Sequence, residues 1–272
     1  MPSDRERWLV RPRSRARLDR IDPRSTPGAP GDKQATKATY PLLWERLQDL
    51  QDRLFGESSR ALLLVLQGID TSGKGGTVKH CLHGVNPSGV QVTSFRAPTE
   101  DELAHDFLWR VHVNVPRHGE IGVFDRSHYE DVIAVRVRDL VPEEVWRARY
   151  DHIKAFEANL RDSGTTVVKV FLHISRDEQA KRLRARLEDH RKHWKFRRED
   201  LDDRKRWDDY QEAFEDALQR TTTAHAPWYV VPADRKWYRN WAVMRIIVET
   251  LEEMDPKFPP PADDLSGVTI PD

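Results

Sequence analysis

Three acids, two bases and a run of glycines carry the chemistry that this sequence offers. The stretch GIDTSGKGGT at 68–77 has a leading glycine, a four-residue gap and then a Gly-Lys pair. That is the spacing of a loop whose backbone N–H groups and following helix N-terminus cradle phosphate. Gly68, Gly73, Gly75 and Gly76 let the backbone close on an anion without Cβ clashes. Thr71, Ser72 and Thr77 complete the loop, and Lys74 adds a mobile positive charge. Where a Ser or Thr would follow the lysine to hold magnesium, this chain has Gly75. Asp70, inside the loop, would be repelled by phosphate oxygens unless a divalent cation lay between them. Magnesium favours oxygen ligands and often takes a carboxylate plus substrate phosphates, so Asp70 is expected to assume the missing metal-holding work. Thr77 stands too far along the helix to be given that role. A plain glycine turn before a helix is the alternative, and it leaves the Gly-Lys pair without a reason.

The second cluster is GVFDRSHYED at 122–131. Asp125 ends an apolar run, which places it at the carboxyl edge of a sheet, where open α/β folds bind ligands. A phosphate-loop enzyme keeps its second metal-coordinating acid there. Arg126 follows at once and suits a bidentate clamp on a transferring phosphoryl group. The competing reading is that Asp125 caps a helix and Arg126 pairs with a surface acid. Glu130 lies one turn beyond Arg126 if a helix starts there, which aims it at the phosphate end of an acceptor. His128 is read as hydrogen-bonded structure and not as a catalyst, since phosphoryl transfer relies on positioning and charge neutralisation.

The elements that must position these residues follow an alternating rhythm. Apolar runs at 61–67, 90–95, 121–125, 166–174 and 226–233 read as strands, the first a fully buried parallel strand that ends at the glycine loop. Helical patterns cover 40 to about 55, the stretch from Lys74, 99–115, 142–164 and the final WYRNWAVMRIIVETLEEM. Thr99 with Glu102 three residues on is a capping box, and Gly164 is a helix stop. Strands alternating with helices predict a parallel sheet covered on both faces. The chain has 272 residues, enough for one large domain, and 38% hydrophobic residues with nine tryptophans supply a core. Lys+Arg and Asp+Glu balance at 45 each, so only local charge can speak about partners. The single cysteine, Cys81, excludes a disulfide framework and a cysteine-rich zinc site, and fits a reducing cytoplasm. No long apolar run or leader pattern is seen, so no membrane association is expected.

Three segments depart from the rhythm. Residues 1–38 are rich in Arg, Pro, Ser and Gly and read as an extension, poorly ordered or wrapped on the surface, or as a basic arm for a polyanion or partner subunit. The main phosphate-loop domain then spans 39–255, and the Pro-rich tail 256–272 reads as a terminal strap. Between the last two strands, at about 181–206, a helical insert is far more basic in its first half than a solvated helix needs. Helical inserts at this point fold over phosphates as lids that exclude water. Arg182, Arg186, Arg191, Lys192 and Lys195 exceed what one triphosphate requires and suit a long polyanionic donor. A solvated, ion-paired helix pair is the alternative.

Together, GIDTSGKGG, VTSFRAPTEDELAHDFLWR, FDRSHYED, KHWKF and APWYVVPADRKWYRNWA resemble the family-2 polyphosphate kinases. The resemblance covers about 40–251. It implies a P-loop kinase-like, three-layer α/β/α sandwich with a central parallel sheet and a helical lid. It further implies magnesium dependence and a homo-oligomer, dimer or tetramer, and transfer between inorganic polyphosphate and AMP or ADP. Carried onto this chain, it makes Asp70 and Asp125 the metal acids and Lys74 and Arg126 the phosphate clamps, with the lid bases as the polyphosphate track. Within the family, FDRSHYED resembles the group that accepts both mono- and diphosphates. Asp189-His190, where many relatives have Pro after the acid, is a departure in the lid. Two rival readings stand beside it. An ATP-dependent nucleotide kinase of similar fold would leave the basic lid without an occupant. A nucleic-acid binder would leave Asp70 and Asp125 unexplained, so no nucleic-acid partner is expected.

Overall fold

The computed structural model describes residues 4–266 and 268–270. The first three residues of the arm and positions 267, 271 and 272 of the tail lie outside them. The strands are β1 (Leu9–Val10), β2 (Ala61–Gln67), β3 (Val90–Ser94), β4 (Ile121–Asp125), β5 (Thr165–His173) and β6 (Trp228–Pro232), in the order β1-β6-β5-β2-β4-β3. From β2 to β6 all pairings are parallel, and β1 alone runs antiparallel to its neighbour β6. The helices are α1 (Lys33–Ala38), α2 (Tyr40–Glu57), α3 (Lys74–Cys81), α4 (Glu100–Leu103), α5 (Trp109–His112), α6 (Ala134–Val137), α7 (Glu143–Asp162), α8 (Arg176–Glu188), α9 (Glu199–Lys205), α10 (Trp207–Thr221) and α11 (Lys236–Met254).

Every residue of β2 is buried, as an apolar strand covered on both faces must be. One helical layer joins α11 to α1, α2 and α3; the other joins α7 to β5, α6 and α10. This is the three-layer α/β sandwich expected. Among the described residues no helix is long and apolar enough to cross a membrane.

The helix expected over 99–115 is two single turns instead. Thr99 forms the capping box, its hydroxyl accepting from Glu102 N–H (3.2 Å) while its own N–H donates to the Glu102 carboxylate (2.8 Å). The helix then stops, because the Asp106 carboxylate accepts from the N–H of Leu108 (2.9 Å) and opens a new turn. A short acid that captures a nearby N–H competes with the helical ladder.

The arginine-rich arm lies on the body of the protein. Trp8 is buried, donates to the Tyr238 hydroxyl at 2.9 Å and meets Tyr238 and Trp241 edge-on. With Trp8 anchored, β1 covers the open edge of β6, which removes unpaired backbone groups from the surface. The start of the tail returns to α2, where the Lys257 N–H donates to Glu57 (3.2 Å).

Candidate active site

The sheet's carboxyl edge gathers the loop after β2 and the turn after β4, since Leu66 pairs with Asp125 in register. Gly68, Thr71 and Gly73 have positive φ angles (150°, 71° and 101°), and Gly73 is the residue from which α3 starts. Arg126 also holds a positive φ (64°). Left-handed backbone at Thr71 and Arg126 costs on the order of 1–3 kcal/mol each and persists where the surroundings impose it, commonly at ligand clamps. Gly75 and Gly76 expose their backbone at the first turn of α3, and Thr77 turns its hydroxyl back onto Gly73 O at 3.1 Å. The Thr77 hydroxyl proton is thus spent within its own helix. Thr71 and Ser72 have buried hydroxyls without a hydrogen-bond partner among the described residues.

Lys74 is buried and donates to Gly68 O at 2.8 Å, curling over the loop. Burial lowers its pKa, as does Arg126, against the opposing pull of Asp70, Asp125 and Glu130. Arg126 forms an ion pair with Asp70. Burial works to raise the Asp70 carboxyl, but Arg126 and Lys74 together hold it well below the usual carboxylate range. Glu130 sits in a short 3₁₀ turn, His128–Asp131, and completes the cluster. Its pKa is raised by burial, with Arg126 and Lys74 opposing. The Gln67 amide, turned so that its nitrogen faces Glu130 Oε1 at 3.1 Å, accepts with its oxygen from the Ser127 hydroxyl and N–H at 3.2 Å each. Gln67 thus orients Glu130, a contact the sequence pattern does not reveal.

Asp125 is half-buried, and a Cβ built on Gly75 would stand 3.5 Å from its Oδ2. The absent side chain at 75 leaves space directly before this carboxylate. Among the described residues no three His, Cys, Asp or Glu side chains cluster tightly enough for a protein-only metal cage. Two oxygen-bearing acids beside a phosphate loop fit magnesium, which keeps several waters and uses one or two carboxylates with substrate phosphates.

Beneath this cluster a buried network holds the 3₁₀ turn. Lys169 of β5 donates to Glu157 (2.6 Å), the Tyr129 hydroxyl (3.0 Å) and Thr221 O (2.8 Å), and Tyr129 donates to Glu157 (2.8 Å). His128 is fully buried beside Glu157 at 3.6 Å, but neither ring nitrogen has a hydrogen-bond partner among the described residues, so the hydrogen bond expected of it is not made.

In front of Gly68, Asp70, Arg126 and Glu130 opens a cavity of about 280 Å³. Apolar residues, among them Phe95, Pro98, Leu103 and Ile133, share its wall with Arg96, Arg110, Arg138 and Arg197. Those arginines were not singled out in the sequence, because dispersed arginines carry no spacing signal. Asp200 of α9 reaches into the site, its pKa pushed up to about 6 by burial and by the neighbouring Asp70 charge.

The lid bases divide into two sets. Arg182, expected on the donor track, is bonded within the fold. Its Nε donates to Glu178, its Nη1 to Thr71 O and Ser72 O, and its Nη2 to Ala233 O and Asp234 O. Every N–H of that guanidinium is committed, so Arg182 ties α8 to the phosphate loop. Arg186 is engaged through Nη1 alone, which donates to Lys195 O (3.2 Å) and Asp200 (3.3 Å). Arg191, Lys192 and Lys195 are exposed on the outer lid, the first two paired with Asp189 and the third over the Trp194 ring.

The sequence matches the family described as Polyphosphate kinase 2 over residues 31–259. It is 53% identical over 256 residues to the AMP/ADP-polyphosphate phosphotransferase of Meiothermus ruber, covering 94% of this chain and 96% of that one. It is 44% identical to the ADP-polyphosphate phosphotransferase of Rhodopseudomonas palustris, covering 79% and 78%. The crystal structure of Polyphosphate Kinase 2 from Arthrobacter aurescens TC1 superposes with a TM-score of 0.93 at 46% identity, covering 97% of this chain and 94% of that one.

Proposed function

The chain belongs to the polyphosphate kinase 2 family, and from that premise we propose that it transfers the terminal phosphate of inorganic polyphosphate to AMP and to ADP. The single observation that carries the reading is the cluster of Lys74, Arg126, Asp70 and Glu130 between the phosphate loop and a cleft large enough for part of a nucleotide.

In the proposed reaction a terminal phosphate oxygen of AMP or ADP attacks the last phosphorus of the polyphosphate chain. A new P–O bond forms as the bridging P–O bond breaks, and its electron pair stays on a chain shortened by one phosphate. Little covalent chemistry falls to the protein, so alignment and charge neutralisation dominate. The loop N–H groups from Gly73 to Gly76 and the Lys74 ammonium hold the transferring group. Arg126, locked in a left-handed conformation and aimed by Asp70, meets the charge that develops between donor and acceptor. Asp70 and Asp125 would hold magnesium, which on binding would screen the phosphates from one another. Glu130, oriented by Gln67, faces the acceptor phosphates, while the apolar wall of Phe95, Pro98, Leu103 and Ile133 gives the nucleoside a dry surface. Lid residues close the cavity to water, so that transfer outcompetes hydrolysis.

The test is the formation of ADP and ATP from AMP plus polyphosphate with magnesium, beside arms that contain EDTA or replace polyphosphate by ATP. Product in the polyphosphate arm, suppressed by EDTA, is expected. Phosphorylation of AMP by ATP alone, with polyphosphate inert, would move the protein to the nucleotide-driven kinases.

A further inference from the structure

Asp234 stands in the turn between β6 and α11 and does not line the acceptor cavity. Its side chain is 4% exposed, and both carboxylate oxygens are committed to one residue. Oδ1 accepts from the Ser175 N–H and Oδ2 from the Ser175 hydroxyl, each at 2.8 Å. Ser175 is the N-cap of α8, where its hydroxyl oxygen accepts from the Glu178 N–H at 3.1 Å. A serine hydroxyl carries one proton and rotates to suit its partners. With that proton given to Asp234, the oxygen lone pairs face the helix, which is the arrangement a cap requires. The main chain of the same turn holds the next element, since Ala233 O and Asp234 O accept from Arg182 Nη2 at 2.7 and 3.1 Å.

Arg182 follows Ser175 by about two helical turns, so the two lie on one face of α8. Fixing the cap therefore fixes the rotation of α8 about its axis and aims Arg182. Glu178, one turn before it, braces its Nε at 2.8 Å, and its Nη1 reaches Thr71 O at 3.0 Å and Ser72 O at 2.8 Å. On its other side the turn meets the N-terminal arm, which is held here mainly by main-chain carbonyls. Ile21 O lies 3.1 Å from His173 Nε2, Pro23 O accepts from the Asp234 N–H at 3.1 Å, and Pro27 O accepts from the Tyr238 hydroxyl at 2.7 Å. Arg24 adds only a long contact to Asp234 Oδ2 at 3.4 Å.

We propose that Asp234 is a positioning residue for phosphoryl transfer. Through the Ser175 cap and Arg182 it sets the carbonyls of the phosphate loop, and the docked arm holds Asp234 in place. The kinetic part of the inference rests on the function proposed above. It gives the arginine-rich arm a part that needs no ligand, namely to close the outer side of the turn from which α8 is aimed.

Asp234→Ala, Asp234→Asn, Ser175→Ala and Tyr238→Phe test it in the full-length chain, with kcat taken per folded molecule and amide hydrogen exchange followed in parallel. Asp234→Ala is expected to lower kcat about tenfold, because small displacements of reacting groups are strongly felt. The KM of AMP should stay unchanged, and short and long polyphosphate should suffer alike. Asp234→Asn keeps an acceptor for the Ser175 N–H and should recover most of the loss. In an Arg182→Met background the further effect of Asp234→Ala should be far smaller, since both act along one route. Exchange should quicken at the Glu178 N–H and across residues 71–74 in Asp234→Ala. It should quicken at the Asp234 N–H in Tyr238→Phe, which frees Pro27 O and the Trp8 indole of the arm. Ser175→Ala removes the hydroxyl link alone and should show the same loop exchange if Asp234→Ala fails to fold. A variant that loses Tm but keeps kcat and loop exchange overturns the proposal, as does an equal fold-loss of kcat in both Arg182 backgrounds. Unchanged exchange at Asp234 in Tyr238→Phe overturns the part given to the arm. A wild type inert with polyphosphate overturns the proposed function, and loop exchange then decides for or against Asp234 on its own.

Discussion

Replacing Arg182 by Met separates a strut from a substrate contact. The side chain keeps its length and apolar stem but loses the donors to Glu178, Thr71 O, Ser72 O, Ala233 O and Asp234 O. Hydrogen bonds that involve a charged group contribute about 1.5–3 kcal/mol each, and a set sharing one guanidinium is far from additive. The side chain is 9% exposed, so water replaces only some of the lost bonds. A net loss of about 2–4 kcal/mol is expected, which for a chain of this size lowers Tm by roughly 4–8 °C. Because the bonds fix the carbonyls at the start of the phosphate loop, kcat should also fall by about tenfold or more. That fall should be equal for short and long polyphosphate, since a strut acts on the transferring phosphate and not on the chain behind it. Thermal unfolding and steady-state kinetics on donors of graded length decide the matter. An unchanged Tm with a KM that rises only for long chains would refute the strut and return Arg182 to the donor track expected from the sequence.

Lys169→Met should destabilise by about 3–5 kcal/mol, because it leaves Glu157 buried without its counter-charge, and the Lys169→Met/Glu157→Gln double variant should recover most of that in chemical denaturation. Glu130→Gln should shift the ratio of kcat/KM values from AMP towards ADP by about 1–3 kcal/mol, since the carboxylate repels a second acceptor phosphate; an unchanged ratio removes Glu130 from the acceptor site. Glu57 is lowered to about 2, chiefly by its hydrogen bonds with Arg60, so its stabilisation is complete above the ordinary carboxylate range and fades as pH falls towards 2. The Tm gap between wild type and Glu57→Gln, measured from pH 7 downwards, should therefore narrow below about 4.5 and close near 2; a gap that stays constant with pH would exclude this ionic origin.

What the sequence determined by itself is the part of this protein whose physics is local. A phosphate loop is a matter of consecutive residues, so the Gly-Lys pair and the apolar run before it sufficed to locate Lys74 and the start of α3. The five parallel strands were legible because each is a short apolar run, and Thr99 and Gly164 marked helix ends through bonds that span three or four residues. Asp125 and Arg126 were legible from standing at the end of such a run. The two-residue strand β1 is too short to carry a pattern, and only the docking of Trp8 on α11 makes it pair with β6. Asp106 cut an amphipathic pattern through a single side-chain bond that outweighed periodicity. Lys169 reads as an interruption in β5 until Glu157, Tyr129 and Thr221 close around it. The basic residues divide in the same way. Charge and spacing mark Arg182, Arg191 and Arg239 alike as cations, yet one braces the loop, one projects into solvent and one lies buried against Gly73 without an acid. Partners distant along the chain decide which carbonyl or carboxylate a guanidinium meets, and only the tertiary fold brings them within reach.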